Sequence, residues 1–326
     1  MRAVVMTGRG GPEVLRVDEV PDPVVGPGLV RVRVRAAGLN RADLLQRMGQ
    51  YGAPPERGPE IPGLEFAGVV DALGEGVSSL KIGDRVFGIT SGGAQAERLV
   101  VHERGAVKIP DSLDDVAAAG VPEAFVTAHD ALFTIGELRP GERVLVHAVG
   151  SGVGLAALQL AKVAGAVVLG TSRTAAKLDG AKAQGLDVGI DSRDGKWAGR
   201  IRATTGGRGV DLIADFLGGG ALAENLASLA ERGRLVVIGL LTGGHAELNL
   251  NQVLVRRLRI QGTVLRARPL EEKLAAVQAF AREVVPLLAA GRIKPVVDRV
   301  YPAQAIQAAH MEMAANENFG KIVLTF

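Results

Sequence analysis

The strongest constraint on the fold is a change in hydrophobic pattern near residue 143. Beyond it, short apolar runs alternate with helical patterns, and six runs are recognised, at 143–148, 166–171, 187–190, 210–216, 234–239 and 259–264. Runs of this kind are typical of parallel strands buried on both faces, because right-handed βαβ connections place helices over both sides of the sheet. Six such strands make two βαβαβ halves, so the region is predicted to be a doubly wound dinucleotide-binding (Rossmann) fold.

The first 120 residues show a different pattern, with short strands separated by turns rich in glycine and proline. Valine alternates with arginine from Val30 to Arg35, which predicts a strand with one buried face and one solvated face rather than an anion site. Further strands are predicted at 66–72, 85–89 and 97–101, and one helix at 41–48.

The last 60 residues return to mixed elements: a helix at about 270–290, a strand near 296–301, a helix at 303–316 and a strand at 321–325. A completed six-stranded sheet has no place for these late strands, so they are assigned to the N-terminal β-rich domain. The predicted architecture is α/β, with a β-rich domain (1–122 and 265–326) that carries an inserted doubly wound parallel-sheet domain (123–264).

Composition excludes several functions. The 326 residues include no cysteine, which excludes disulfides, cysteine-ligated zinc, iron–sulfur clusters and a thiol nucleophile. Lys and Arg (38) barely exceed Asp and Glu (35) and are scattered, so no nucleic-acid partner is expected. No apolar run is long enough to span a membrane, and the N-terminus does not resemble a signal peptide; a soluble, cytoplasmic protein is expected.

A glycine-rich turn follows the first strand of the alternating region. Its residues are Gly150, Ser151, Gly152, Val153 and Gly154. A strand, a glycine turn and a helix N-terminus together favour pyrophosphate binding, since the backbone N–H groups and the helix dipole attract anions. The glycine spacing departs from G-x-G-x-x-G, and the alternative is a β–α turn without a ligand.

The end of the second strand bears on the choice of cofactor. An NAD site usually has an acidic residue there, to accept hydrogen bonds from the ribose 2′-hydroxyl. This chain instead has Thr171, Ser172 and Arg173, with Lys177 one turn further. Hydroxyl and cationic groups suit a 2′-phosphate, so NADPH is preferred over NADH. The alternative is that Arg173 and Lys177 are solvated charges at the start of a helix.

Several motifs spread along the whole chain point to one family. They are Asn40–Leu44, Gln46–Tyr51, Gly63–Glu65, Lys81–Asp84, Pro122–Ala124 with Thr127–Ala128, Ser151–Gly154, Leu265–Arg268 and Asn318–Leu324. By these the sequence resembles the zinc-independent quinone oxidoreductases of the medium-chain dehydrogenase/reductase superfamily, the group that includes zeta-crystallin, and within that group a branch induced by a tumour suppressor.

The resemblance implies a GroES-like catalytic domain, NADPH as hydride donor, and a quinone or other conjugated carbonyl as acceptor in a cleft between the domains. In zinc-dependent relatives a cysteine ligand stands at the position of Asn40 and a histidine ligand at that of Leu64, so no metal site is expected here. An alcohol substrate needs a Lewis acid, whereas a quinone accepts hydride readily and positioned hydrogen-bond donors suffice.

The resemblance also suggests roles for individual residues. Asn40 and Tyr51 are candidates to orient the acceptor oxygen; the alternatives are a network residue and a lid aromatic. The other cofactor candidates are Pro122 and Thr127 beside the nicotinamide, Gly239, Leu240, Leu265 and Arg266 after the fifth and sixth strands, and Arg193 in place of an adenosine-phosphate tyrosine of some relatives. His129 and His147 are expected to be structural.

Two further expectations concern assembly and activity. The strand at 259–264 would leave an open sheet edge, and pairing with a second copy would cover it, so a homodimer is expected. The alternatives to quinone reduction are an NADPH-dependent enone or alkenal reductase, for which a proton donor near Tyr51 would argue, and a non-catalytic NADPH-binding protein of the crystallin kind.

Overall fold

The computed structural model describes residues 1–51 and 60–326. The chain divides into two compact units. The first comprises Met1–Val126 and Arg266–Phe326, and the second comprises Thr127–Leu265. The predicted insertion of one unit into the other follows from this division, although the exact domain limits stay a prediction.

The second unit is a six-stranded sheet with helices between the strands. Its strands are β8 (Arg143–Val146), β9 (Val167–Ser172), β10 (Val188–Asp191), β11 (Val210–Asp215), β12 (Leu229–Val237) and β13 (Arg259–Gly262). Its helices are α4 (Gly152–Val163), α5 (Ala175–Ala183), α6 (Ala198–Thr204), α7 (Leu222–Ser228) and α8 (Leu250–Arg256).

Strand order in this sheet is β10-β9-β8-β11-β12-β13, with every neighbouring pair parallel. Leu145 of β8 pairs with Leu169 and Ile213 on either side, and all three are buried. Burial of each such side chain contributes about 1.5–3 kcal/mol, which explains why a continuous apolar run forms a central strand. The predicted doubly wound sheet is confirmed.

The first unit is β-rich. Its strands are β1 (Arg2–Met6), β2 (Leu15–Glu19), β3 (Leu29–Leu39), β4 (Glu65–Leu73), β5 (Arg85–Ile89), β6 (Arg98–His102), β7 (Ala106–Lys108), β14 (Val297–Pro302) and β15 (Lys321–Thr325). Seven of them form one sheet: β14-β15-β3-β4-β5-β7 in that order, with β6 also paired to β3. β1 and β2 pair with each other.

Helices of the first unit are α1 (Arg41–Arg47), α2 (Asp115–Ala119), α9 (Leu270–Glu283), α10 (Val285–Ala289) and α11 (Ile306–Ala315); α3 (Pro122–His129) contains the division between the units. The single helix predicted at 270–290 is two helices, because Pro286 has no N–H to continue the hydrogen-bond ladder. In the described part of the chain, none of the helices has the length and apolarity needed to cross a membrane.

Two predictions about the first unit are confirmed by strand pairing. β15 lies antiparallel to β3, with Ile322 opposite Leu39, so the late strands do return to the N-terminal domain. Along β3, Val32 is fully buried while Arg33 is exposed, and Arg31 donates from Nε to Asp71 Oδ1 at 2.7 Å. The arginines of this strand therefore form a solvated face.

Candidate active site and cofactor-binding turn

The glycine turn connects β8 to α4. Ser151 is the N-cap of α4, and its hydroxyl oxygen accepts a hydrogen bond from Gly154 N at 3.1 Å. A Cβ on Gly154 would lie 2.5 Å from Ala148 O and 2.9 Å from Val149 Cα, both backbone atoms. The third glycine is therefore required for close packing of the helix on the strand. Its N–H is committed to Ser151, so Gly152 and Val153 carry the N–H groups best placed for an anion.

A cluster of three neutral side chains lies behind this turn. His147 Nδ1 is 2.8 Å from Thr171 Oγ1, and its Nε2 is 2.7 Å from Asn225 Oδ1. We call these three residues the histidine triplet. Burial lowers the pKa of His147 to about 4, so the ring is neutral at physiological pH. Because the Asn225 oxygen can only accept, the proton lies on Nε2 and Nδ1 accepts from the Thr171 hydroxyl. His147 is structural, as expected.

The contacts of the histidine triplet change one part of the predicted 2′-phosphate site, which is the role of the Thr171 hydroxyl. Thr171 is only 1% exposed and its hydroxyl is engaged with His147, so it offers no side-chain group to a cofactor. Ser172 is also buried, and its oxygen accepts from Thr174 N at 3.1 Å. Arg173 is exposed and Lys177 is half-buried. Arg173 and Lys177, the cationic residues of the predicted 2′-phosphate site, therefore reach the surface. The Thr171 hydroxyl is buried.

Three more cofactor candidates lie in the second unit. Arg193 is exposed and pairs with Asp191, with Nε 2.8 Å from Oδ2. Gly239 follows β12 and donates from its N–H to Asp215 O at 3.2 Å. Leu240 is 59% exposed, as a residue that contacts a ligand must be. Arg193 would have to leave its partner Asp191 to contact a phosphate.

Asn40 lies within a buried charged network of the first unit. Lys321 Nζ donates to Leu39 O at 3.0 Å, to Asn40 Oδ1 at 2.5 Å and to Glu65 Oε1 at 2.6 Å. Asn40 Nδ2 donates to Glu65 Oε1 at 2.8 Å. Both ends of the Asn40 amide are therefore occupied. Of the two interpretations of Asn40, the geometry favours the network residue.

Two further acids adjoin this network. Asp43 accepts from the N–H groups of Asn40 (2.8 Å) and Gly63 (3.1 Å), and Glu65 Oε2 accepts from Glu123 N at 2.8 Å. We call Asn40, Asp43, Glu65, Glu123 and Lys321 the acid–lysine cluster. One lysine cannot neutralise three carboxylates.

The pKa values of the acid–lysine cluster follow from burial and like charge. Burial raises the pKa of Asp43 to about 6, against the opposing effect of its two backbone donors. Burial and the negative charge of Glu65 raise the pKa of Glu123 to about 8. Among the described residues no hydrogen bond reaches the Glu123 carboxyl. Glu123 is therefore protonated at neutral pH.

Tyr51 is half-buried and lies against a guanidinium. The Cζ atom of Arg266 is 4.9 Å from the centre of the Tyr51 ring, a cation–π distance. Arg266 Nε donates to Ser91 O at 2.8 Å, and Lys273 Nζ donates to Arg266 O at 3.0 Å and to Ser91 Oγ. Burial and the charge of Glu123 raise the pKa of the Tyr51 phenol, which therefore stays protonated. Tyr51 and Glu123 are thus close enough to influence each other's ionisation.

The remaining candidates are less informative. Pro122 is the first residue of α3 and is buried, Thr127 lies on the same helix and is half-buried, and Leu265 is buried. No hydrogen bond of the described residues marks these positions as a site, so their roles stay predictions.

The residues at the zinc position of zinc-dependent relatives do not fit a metal ion. Leu64 is apolar and 2% exposed, the Asn40 oxygen already accepts from Lys321, and an ammonium group at that place would repel a second cation. Nor does the described part of the chain contain three grouped histidine, aspartate or glutamate side chains suited to a metal. The side chains at this position are therefore a poor donor set for a metal ion.

Sequence reasoning missed Glu123, Glu65 and Lys321 as site residues. Glu65 and Glu123 stood in motifs that carried the resemblance, but nothing in the sequence showed that they meet. Lys321 did leave a signal, since it is the one charged residue in the strand Lys321–Thr325 and is 4% exposed. A buried lysine requires a partner.

Comparisons with known proteins agree with this structure. The family model of the alcohol dehydrogenase GroES-like domain matches residues 26–111, and that of the zinc-binding dehydrogenases matches residues 152–282. The synaptic vesicle membrane protein VAT-1 homolog of Rattus norvegicus is 35% identical over 343 residues, covering 99% of this chain and 84% of that protein. The quinone oxidoreductase of Lama guanicoe is 33% identical over 327 residues, covering 99% and 97%.

A solved structure is similarly close. The Escherichia coli quinone oxidoreductase complexed with NADPH has a TM-score of 0.91 and 29% identity, with 100% of both chains covered. The two-domain fold, the family models and full-length relatives above 30% identity place the chain in one class. It belongs to the medium-chain dehydrogenase/reductase superfamily, with a GroES-like domain and a Rossmann domain, and within it to the quinone oxidoreductases.

Proposed function

We propose that this oxidoreductase is an NADPH-dependent quinone reductase that works without zinc. The observation that carries the proposal is the hydrogen-bond network of Asn40, Glu65 and Lys321, which engages both ends of the Asn40 amide at a position where zinc-dependent relatives have a zinc ligand. Such a site suits an acceptor that takes hydride without a metal. The relation to quinone oxidoreductases, one of them a complex with NADPH, supports the proposal. The narrower tumour-suppressor-inducible branch stays a prediction.

Residues of the second unit fit NADPH. The N–H groups of Gly152 and Val153 at the start of α4 would hold the pyrophosphate, and Arg173 and Lys177 would bind the 2′-phosphate. When bound, NADPH supplies a hydride. The cofactor preference is tested by measuring the affinities for NADPH and NADH with Arg173→Ala, using nucleotide fluorescence. We expect NADPH binding to weaken roughly tenfold and NADH binding to change little.

Arg139→Ala is the matched control for this experiment. Arg139 is also exposed, but it precedes β8 and so lies on the side of the sheet away from the glycine turn. Its replacement should leave both affinities unchanged. Equal affinity of the wild-type protein for NADPH and NADH would refute the phosphate assignment.

On the acceptor side, Tyr51 would donate a hydrogen bond from its phenol to a carbonyl oxygen of the quinone. The raised pKa of Tyr51 keeps this donor protonated at neutral pH. The direct test is rapid-mixing oxidation of NADPH with 1,2-naphthoquinone, 1,4-benzoquinone and an enone in turn. Oxidation with the quinones supports the proposal, whereas NADPH binding without turnover of any acceptor would leave only the non-catalytic, crystallin-like role.

One observation favours a second candidate, an NADPH-dependent reductase of enones or alkenals. Such a reaction adds a proton after the hydride, and Glu123 is a protonated acid electrostatically coupled to Tyr51. Glu123→Gln distinguishes the two activities. It should slow enone reduction by roughly 10²-fold or more and quinone reduction much less, because the quinol anion can take its proton from water.

We also propose a homodimer. β13 is an edge strand whose four residues are all exposed, and the apolar side chains of Leu254, Val255 and Val264 nearby are exposed as well. An unpaired edge with apolar flanks is suited to pairing with its own copy. Light scattering after size exclusion should give a dimer for the wild type and a monomer for Ile260→Asp. A monomeric wild type would contradict the proposal.

A further inference from the structure

The guanidinium of Arg266 is an incompletely paired buried cation. Arg266 is 8% exposed, and in the described structure its Nη1 and Nη2 atoms are shielded from water and have no hydrogen-bond partner. The Nε atom donates to Ser91 O at 2.8 Å. Leaving buried polar groups unpaired is costly, so such groups are rare in folded proteins and call for an explanation such as a missing ligand.

The surroundings of this guanidinium define the kind of ligand it would take. The Tyr51 ring covers one face of it at 4.9 Å, and the Lys273 ammonium bonds to the Arg266 carbonyl. The nearby acids do not cancel the positive charge: Glu60 pairs with Arg9 at 2.7 Å, and Glu123 is protonated at neutral pH. The position therefore offers the N–H groups of two guanidinium nitrogens, positive charge and a low dielectric, which favours an anionic oxygen.

We propose that Nη1 and Nη2 of Arg266 bind the acceptor oxygen on which negative charge develops during reduction. This inference rests on the proposed quinone reductase function and adds a catalytic residue to it. A hydride carries two electrons and one proton, so its transfer to a quinone gives the quinol monoanion. The anion charge lies on an oxygen that Arg266 holds, and one further proton from solvent completes the quinol.

The same chemistry argues against a cofactor phosphate as the ligand. A phosphate carries up to two negative charges and is usually bound by several residues. Arg266 offers one guanidinium group with a single positive charge. The phosphate-binding features, which are the glycine turn and Arg173, belong to the second unit, while Arg266 contacts Tyr51 and Ser91 of the first. A quinolate or phenolate oxygen matches a single guanidinium in charge.

The test uses 4-nitrophenol as a probe, without cofactor and without turnover. The phenolate form of this compound absorbs visible light and the phenol form does not, so selective binding of the anion is seen directly. In a buffer below the pKa of the free phenol, the wild-type protein should raise the phenolate absorbance in a saturable manner. Arg266→Gln should weaken this binding roughly tenfold or more, the usual effect of losing hydrogen bonds to a charged partner.

Two variants control the experiment. Arg292→Gln removes an exposed arginine of the same unit and should bind the phenolate as the wild type does. Arg266→Lys keeps the positive charge but loses the planar guanidinium, so this variant should bind the phenolate with intermediate affinity. It replaces Arg266→Gln in the experiment if circular dichroism shows that Arg266→Gln does not fold.

Each alternative outcome overturns the assignment. No saturable phenolate signal with the wild type, or equal binding by wild type and both Arg266 variants, would refute it. So would unchanged phenolate binding by Arg266→Gln with a tenfold loss of NADPH affinity, which would assign Arg266 to the cofactor. Failure of the proposed function is seen separately, as a wild-type protein that binds the phenolate but oxidises no NADPH with quinones.

Discussion

The two units of this protein each bury a polar cluster, and the clusters differ in charge. The histidine triplet of the second unit is neutral, since burial lowers the pKa of His147 to about 4. The acid–lysine cluster of the first unit is charged, with Lys321 paired to a fully buried Glu65. The neutral cluster fixes the positions of β8, β9 and α7, whereas the charged one changes the proton affinity of its own members.

This difference corresponds to the chemistry proposed for each unit. Holding a dinucleotide needs fixed backbone N–H groups, and a neutral hydrogen-bonded network supplies rigidity without adding a net charge. Reduction of an enone, the second candidate activity, needs a group that can deliver a proton near neutral pH, and the crowded carboxylates raise the pKa of Glu123 into that range. Substitutions in each cluster test this difference.

The largest effect is expected from Lys321→Met, which leaves Glu65 buried without its cation. Losing one partner of a buried ion pair costs about 3–5 kcal/mol in the free energy of unfolding. Urea denaturation followed by circular dichroism measures the loss, and Lys81→Met, at an exposed lysine, should change it by less than about 0.5 kcal/mol. If Lys321→Met lowered the free energy of unfolding by less than about 1 kcal/mol, the ion pair between Lys321 and Glu65 would not be formed in solution.

A smaller effect is expected in the neutral cluster from Asn225→Ala. His147 Nε2–H would lose its acceptor at 2.7 Å, and an unpaired buried donor costs about 1–3 kcal/mol. The same urea experiment applies, with the exposed Asn251→Ala as control. If Asn225→Ala were as damaging as Lys321→Met, the proposed contrast between the clusters would be wrong.

The charged cluster should also make stability depend on pH through Glu123. Its pKa is raised in the folded state from 4.5 to about 8, so the stability it contributes is present below pH 4.5 and is lost as pH rises towards 8. In Glu123→Gln the fall in stability between about pH 5 and pH 8 should be shallower by up to roughly 1 kcal/mol per pH unit. Urea midpoints across this range measure the slope. Glu272→Gln, at an exposed acid, should keep the wild-type slope, and an unchanged slope in Glu123→Gln would mean that Glu123 is ionised in the folded protein.

The smallest effect is expected from Thr171→Val. The variant removes the hydroxyl that donates to His147 Nδ1 at 2.8 Å and should destabilise the protein by about 1 kcal/mol. Because this hydroxyl is buried, NADPH affinity should stay within about twofold of the wild type. Fluorescence titration with NADPH checks this, and a tenfold loss of affinity would restore Thr171 to the phosphate site.

Patterns local in sequence predicted much of the fold. The six-stranded parallel sheet and the assignment of the late strands to the N-terminal domain follow from the runs of apolar residues and from the rules of βαβ connection. The break before α10 was missed, because Pro286 is tolerated in the first turn of a helix and the helical period continues across it.

The candidate site was less predictable. The glycine turn is a local motif that the sequence shows directly, and the structure adds that a Cβ on Gly154 would collide with backbone atoms. The choice between the two roles of Asn40 needed the distance to Lys321, 281 residues away in the chain. The Thr171 hydroxyl was misassigned because sequence shows where a strand ends but not which of its side chains face the interior.

By itself, the sequence determined the class of fold and the glycine turn, because each depends on residue type and spacing. The family resemblance implied that Asn40 and Leu64 stand at the positions of zinc ligands. Only the tertiary structure decided that Asp43, Glu65, Glu123 and Lys321 share one cluster, and that Nη1 and Nη2 of Arg266, which lies beside Tyr51, have no hydrogen-bond partner among the described residues. The physical reason is that proton affinity and the need for a ligand depend on burial and on neighbours, and the neighbours here are brought together from distant strands and helices.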